Sequence, residues 1–164
     1  MLKRLSGFQA GVWVGVAASR LLGCLLGIGL LVGGVFCMPA LAVDLVHQTA
    51  TEVQVDLGNR ANELKFVPNH LDFIAGQRYK LVLHNPSEQK HYFTAKDFAD
   101  AIWSQKVEAG KVEVKGAIHE LELKPGATAE WVFIPLKGGT YELHCSVPGH
   151  TEAGMTGDLA IAVE

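Results

Sequence analysis

From Thr51 onward the chain alternates apolar and polar residues with a period of two. Val53, Val55 and Leu57 interleave with Glu52, Gln54 and Asp56. Tyr79, Leu81 and Leu83 do the same with Lys80 and His84, although Val82 interrupts the polar side. The pattern returns in Ala129, Trp131 and Phe133, in Tyr141, Leu143 and Cys145, and in Leu159, Ile161 and Val163. Successive side chains of a strand point to opposite faces, so each run predicts a strand with one buried face. His119 shares such a face with Leu121 and Leu123 and is expected to be a partly buried structural residue. Turn-forming residues separate the runs: Gly58-Asn59, Ala75-Gly76, Asn85-Pro86-Ser87, Pro125-Gly126, Gly138-Gly139 and Pro148-Gly149. Short strands at this spacing predict an antiparallel sandwich or barrel. The pattern is weakest from Lys96 to Gly116. There Asp97 is expected to cap a short helix through Trp103, with Phe98, Ala101 and Ile102 facing inward. Residues 43–50 read as a loose arm.

The first 42 residues follow a different rule. They carry Lys3, Arg4 and Arg20 and no acidic residue, and no charge occurs from Leu21 to Val43. A basic start, an apolar run and the small-x-small site Ala40-Leu41-Ala42 are the signature of a secretory leader. Cleavage is expected after Ala42. The apolar run is also long enough to cross a bilayer, so an uncleaved anchor facing the periplasm is the alternative. Leu21-Leu22-Gly23-Cys24 looks like a lipoprotein box, but Arg20 before it and the apolar run after it stand in the wrong order. The expected organisation is a signal segment at 1–42, an arm and first strand at 43–63, and a folded domain at 64–164. Such a leader implies export, to a periplasm or a thylakoid lumen.

At 49% hydrophobic residues, the chain has too much apolar mass for a disordered protein. Its 18 glycines show no triplet period, which excludes a collagen-like chain. A formal charge of −3 argues against a general nucleic-acid binder. The charge is uneven, however. All 17 Asp and Glu follow residue 42, with 11 Lys and Arg, so residues 43–164 carry a net charge of −6. That field would steer a partner with a basic face; it would equally keep a small exported domain soluble.

Cys24 and Cys37 depart with the leader, which leaves Cys145 alone. A single thiol in an oxidising compartment can pair with another chain, act as a nucleophile, ligate a metal or pack as a small hydrophobe. Its neighbours narrow the choice. The segment YELHCSVPGHTEAGMTG (residues 141–157) places Cys145, His150 and Met155 with four residues between successive members. Thiolate and thioether favour Cu(I), imidazole suits both copper oxidation states, and a weak axial thioether marks a blue-copper centre. Such a centre requires a second imidazole from elsewhere in the fold. His91, in NPSEQKHYF after the Tyr79–His84 run, is the candidate.

These residues resemble the cupredoxins, the small blue-copper proteins of the plastocyanin and azurin type. The resemblance covers most of residues 64–164. It includes LKFVPNHLDFIAGQRYKLVLHN, with Phe66, Pro68, Gly76 and Asn85, then His91, PGATAEWVF, and GGTYELHCSVPGH followed by AGMTG. It implies an antiparallel Greek-key β-sandwich holding one mononuclear type 1 copper that cycles between Cu(I) and Cu(II). It implies His91, Cys145 and His150 as equatorial ligands and Met155 as the axial one. It further implies a monomeric one-electron carrier whose donor and acceptor proteins dock near an exposed His150 edge ringed by Pro148, Gly149, Ala153 and Gly154. The sequence departs from the family at Tyr92, where many members carry Asn or Ser after the first histidine ligand.

The other histidines fall outside this pattern. His84 and His144 alternate away from the apolar faces and are expected to face solvent, and His47 and His70 lack partners at ligand spacing. Trp103 and Trp131 read as core or edge aromatics. A copper protein for tolerance or delivery is the alternative to a carrier, but Met155 is the only Met after residue 42 and no His-rich tract occurs. An oxidase or nitrite reductase needs further copper centres and more His pairs than the chain provides. A thiol hydrolase needs a carboxylate to orient its base. A binuclear copper site needs a second Cys on the loop. The chain is therefore expected not to be an enzyme.

Overall fold

The computed structural model describes residue 45 and residues 47–164. The expected leader, its cleavage site and its two cysteines lie outside the described residues. The alternating runs become strands: β1 (Thr51–Leu57), β2 (Phe66–Val67), β3 (His70–Ile74), β4 (Tyr79–His84) and β5 (His91–Thr94). A helical turn α1 (Lys96–Ala99) follows, then β6 (Ile102–Ala109), β7 (Val112–Val114) and β8 (Glu120–Leu123). β9 (Thr128–Pro135), β10 (Gly139–His144) and β11 (Thr156–Ala162) complete the order. Among the described residues no helix is long and apolar enough to cross a membrane.

The strands form two sheets, ordered β2-β1-β4-β9-β6-β7 and β3-β11-β10-β5-β8. Period-two burial closes them over one core. Leu81, Leu83, Trp131 and Phe133 of the first sheet and Phe73, Phe93, Leu143 and Leu159 of the second are each at most 2% exposed. Each such side chain contributes about 1.5–3 kcal/mol relative to exposure. Phe73, Phe98 and Phe133 pack with centroids 5.3–5.5 Å apart. Trp131 donates its indole N–H to Ser104 Oγ at 2.9 Å, which satisfies the one polar group it takes into the core.

The fold is an all-β sandwich, with differences in detail from the expectation. Two of its pairs are parallel, β1 with β4 and β3 with β11. The predicted helix through Trp103 stops at Ala99, and its N-cap is Ala95, with no side-chain cap from Asp97. Phe98, Ala101 and Ile102 are buried as expected, but Ile102 and Trp103 pair with Pro135 and Ile134 of β9. Pairing with an inner strand of the sheet overrides a weak local helix signal. Val163 lies beyond β11 and is 69% exposed, so the last run ends one alternation early.

Candidate metal centre

Three of the predicted donors meet where elements of the second sheet end. His91 opens β5, Cys145 directly follows β10, and His150 lies in the loop between β10 and β11. Their ligand atoms all lie within 4.8 Å of one another. Cys145 Sγ is 3.5 Å from His150 Nδ1 and 3.9 Å from His91 Nδ1, and the two Nδ1 atoms are 3.3 Å apart. His91 and Cys145 are fully buried, and His150 is 9% exposed. It is the one such His, Cys, Asp and Glu group found among the described residues.

The loop's own backbone fixes three of the predicted ligands relative to one another. The Cys145 N–H donates to Met155 O at 3.1 Å, and the Met155 N–H donates to His150 O at 2.9 Å. The His150 N–H closes on Val147 O at 3.0 Å, around Gly149 with φ +84°. Thr151 Oγ1 donates to Cys145 O at 2.8 Å. Met155 is thereby buried completely beside the cluster's backbone. Pro148, Gly149, Ala153 and Gly154 are exposed around His150.

His91 is held by different means. The turn before it is built on Asn85, which is fully buried. Asn85 Nδ2 donates to Gln89 O and Leu123 O at 2.7 and 2.8 Å, and its Oδ1 accepts from the Ser87 N–H and Oγ at 3.0 and 2.7 Å. One residue past His91, the Tyr92 N–H donates to Cys145 Sγ at 3.3 Å and ties the two ligand segments together. The Tyr92 phenol points outward to Glu122, with Lys90 Nζ 5.3 Å from its ring centroid. Thr94 and Ser146 both donate to Glu120, a second bridge between the segments.

Two imidazole nitrogens and a sulfur aimed at one buried point, with no carboxylate among them, suit a soft or borderline cation. Burial, and then repulsion from His150, hold His91 below the ordinary histidine range. It is therefore neutral at physiological pH, the form that ligates. With the Met155 thioether, the donor set is that of a type 1 copper site.

The remaining histidines stand apart from this cluster. His84 pairs with Asp56 at 3.0 Å, and half-buried His144 stands 3.2 Å from Glu142. His70 bridges Asp158 at 2.6 Å and Asp72 at 3.2 Å. His119 corrects the expectation of partial burial: it precedes β8, is exposed and pairs with Asp100 at 2.7 Å. Trp131 is core and Trp103 is 43% exposed.

Residues 31–157 match the family model of the cupredoxin-like domain. The chain belongs to the cupredoxins. Solved structures share the fold. Auracyanin from Roseiflexus castenholzii aligns at 20% identity and TM-score 0.50, over 70% of this chain and 99% of its own. The multicopper oxidase McoA from Aquifex aeolicus aligns at 16% and 0.54, over 70% of this chain and 30% of its own. The copper-containing nitrite reductase from Thermus scotoductus aligns at 14% and 0.51, over 68% and 30%. A search of curated proteins found no match. The aligned part of this cupredoxin, about 70% of the chain, thus spans nearly all of the auracyanin and 30% of the oxidase or of the reductase.

Several supporting residues were missed in the sequence. The sequence marks Ser87 and Gly58 as turn formers alone, and Asn85 as a turn former and part of the family resemblance without its hydrogen-bonding role. The Tyr92 contact runs through the backbone, so residue type carries no signal for it.

Proposed function

We propose that this cupredoxin is a one-electron carrier in which His91, Cys145, His150 and Met155 would hold copper. When bound, copper supplies one-electron chemistry between Cu(I) and Cu(II). The chain's part is to hold the donors still, exclude water and leave one ligand edge near solvent. The observation that carries this reading is the fixing of buried donors by two separately anchored segments joined at Tyr92 N–H···Sγ. Fixed donors change little between oxidation states, which favours electron transfer over ion exchange. Donor and acceptor proteins would dock at His150 and its rim, steered by the acidic charge of residues 43–164. We also propose export, with residues 1–42 as the leader and 43–164 as the mature, monomeric domain.

The test is a visible spectrum of the purified protein with copper(II) and then ascorbate. An intense thiolate-to-copper band that bleaches on reduction, returns on oxidation and is absent in Cys145→Ala is expected. A protein that stays colourless, or whose colour decays as Cys145 oxidises, overturns the carrier reading and favours copper delivery.

A further inference from the structure

Gly58 follows β1 on the side of His91 away from the metal donors. We propose that Gly58 is a positioning residue for His91, an inference that rests on the metal site proposed above. His91 presents Nδ1 to Cys145 and His150. Its other nitrogen, Nε2, is buried without a hydrogen-bond partner. A Cβ on residue 58 would stand 2.9 Å from that Nε2, 3.2 Å from Ser87 Cβ and 3.4 Å from Glu63 O. The first distance is closer than a carbon and a ring nitrogen tolerate, so the backbone of Gly58 is the wall behind the imidazole.

The wall is braced. The Gly58 N–H donates to Lys65 O at 2.8 Å, and the Asn62 N–H donates to Asn59 O at 2.9 Å. Asn59 Oδ1 accepts from Ala61 and Glu63 N–H at 3.0 and 3.1 Å. The Glu88 N–H donates to Asn62 Oδ1 at 2.9 Å and latches this loop to the turn that leads into His91. A side chain at 58 therefore displaces the ring more readily than the loop, and drives Nδ1 toward the thiolate. Gly58 sets the distance at which His91 stands from Cys145 and keeps Nε2 away from water.

Glycine at 58 also serves a backbone need, since its φ is +77°. Gly76 separates the two effects: its φ is +79°, and a Cβ there meets nothing within 4 Å. The experiment compares full-length wild type, Gly58→Ala and Gly76→Ala. Both variants should lose apo-protein stability from backbone strain, Gly58→Ala the more because of its added contacts. Only Gly58→Ala should alter the visible and electron-paramagnetic-resonance spectra of the copper(II) protein, with copper(II) affinity lower by about tenfold or more. An unaltered Gly58→Ala spectrum beside a blue wild type overturns this inference alone, as does an equal change in Gly76→Ala. A colourless wild type removes the metal reading and this inference with it. If Gly58→Ala does not fold, hydrogen exchange at His91 Nε2 in the Cu(I)-loaded wild type decides. A protected proton supports the wall, and fast exchange refutes it.

Discussion

Replacing Asn85 with Ala tests whether the turn before His91 is held as described. The substitution removes four side-chain hydrogen bonds at a fully buried position. Their loss is uneven. Ser87 Oγ keeps its bond to Gln89 O at 2.9 Å, so that hydroxyl and that carbonyl retain a partner. The Ser87 N–H loses its acceptor in a residue only 3% exposed, a buried orphan worth about 1–3 kcal/mol. The two lost Nδ2 bonds add about 0.5–1.5 kcal/mol each, offset by no longer burying the amide. The expected loss is about 3 kcal/mol, or about 10–15 °C in Tm for a domain of this size. Thermal and urea unfolding of the apo-protein, followed by circular dichroism, measure it. Ser87→Ala keeps the backbone bond to Asn85 and should cost only about 1 kcal/mol. A loss below about 1 kcal/mol for Asn85→Ala, or an equal loss for the two variants, refutes the reasoning.

Three other outcomes are expected. The hydrogen bond that His70 donates to Asp158, with the charges of Asp158 and Asp72, holds His70 above its ordinary range, so the folded state binds the proton more tightly. The stabilisation is full below about pH 6.5 and is lost as pH rises through the raised folded value. Wild type should melt above His70→Gln at about pH 5.5 and level with it at about pH 9; a gap that widens with pH contradicts the pairing. Gly157→Ala places a Cβ into Asn69 O, which is fixed by the Asp158 N–H at 2.9 Å. Backbone meets backbone there, so urea unfolding should report a loss of about 1–3 kcal/mol, and a neutral result refutes the close approach. Met155→Leu conserves volume and should cost the apo-protein less than about 1.5 kcal/mol. It should keep the thiolate band but shift the reduction potential; loss of the band argues against an axial role for Met155.

How much of this was legible depended on whether the information was local. β1 and β4 announce themselves because Val55 and Leu81 sit on alternations that bury one face, and β9 through Ala129, Trp131 and Phe133, although Val132, Ile134 and Pro135 are buried there as well. Cys145, His150 and Met155 lie within eleven residues, so their chemistry could be read before their geometry. β6 could not be read this way. Its register with β9 shifts between Ser104 and Lys106, which breaks the two-residue period. The parallel pairs join strands distant in sequence, and periodicity says nothing about partner or direction. Asn85 illustrates the other limit. Asn-Pro-Ser reads as a surface turn, yet Asn85 is buried because its amide satisfies the Gln89 and Leu123 carbonyls and the Ser87 N–H inside the turn.

The same sandwich occurs in auracyanin and in one part of a multicopper oxidase and of a nitrite reductase, so the fold alone does not choose between carrying electrons and doing chemistry. The choice lies in what the site leaves accessible. His91 has its far edge against Gly58, Cys145 has its sulfur against the Tyr92 N–H, and Met155 is fully buried. His150 alone of the four reaches the edge of burial, and Pro148, Gly149, Ala153 and Gly154 beside it are exposed and uncharged, with the exposed Glu152 as the one charge among them. A substrate molecule would need an open coordination position and a cavity to bind in. An electron needs only a short path to a surface that a partner can cover. Among the described residues, the arrangement around His150 fits the second requirement, which is the physical ground on which the carrier is proposed.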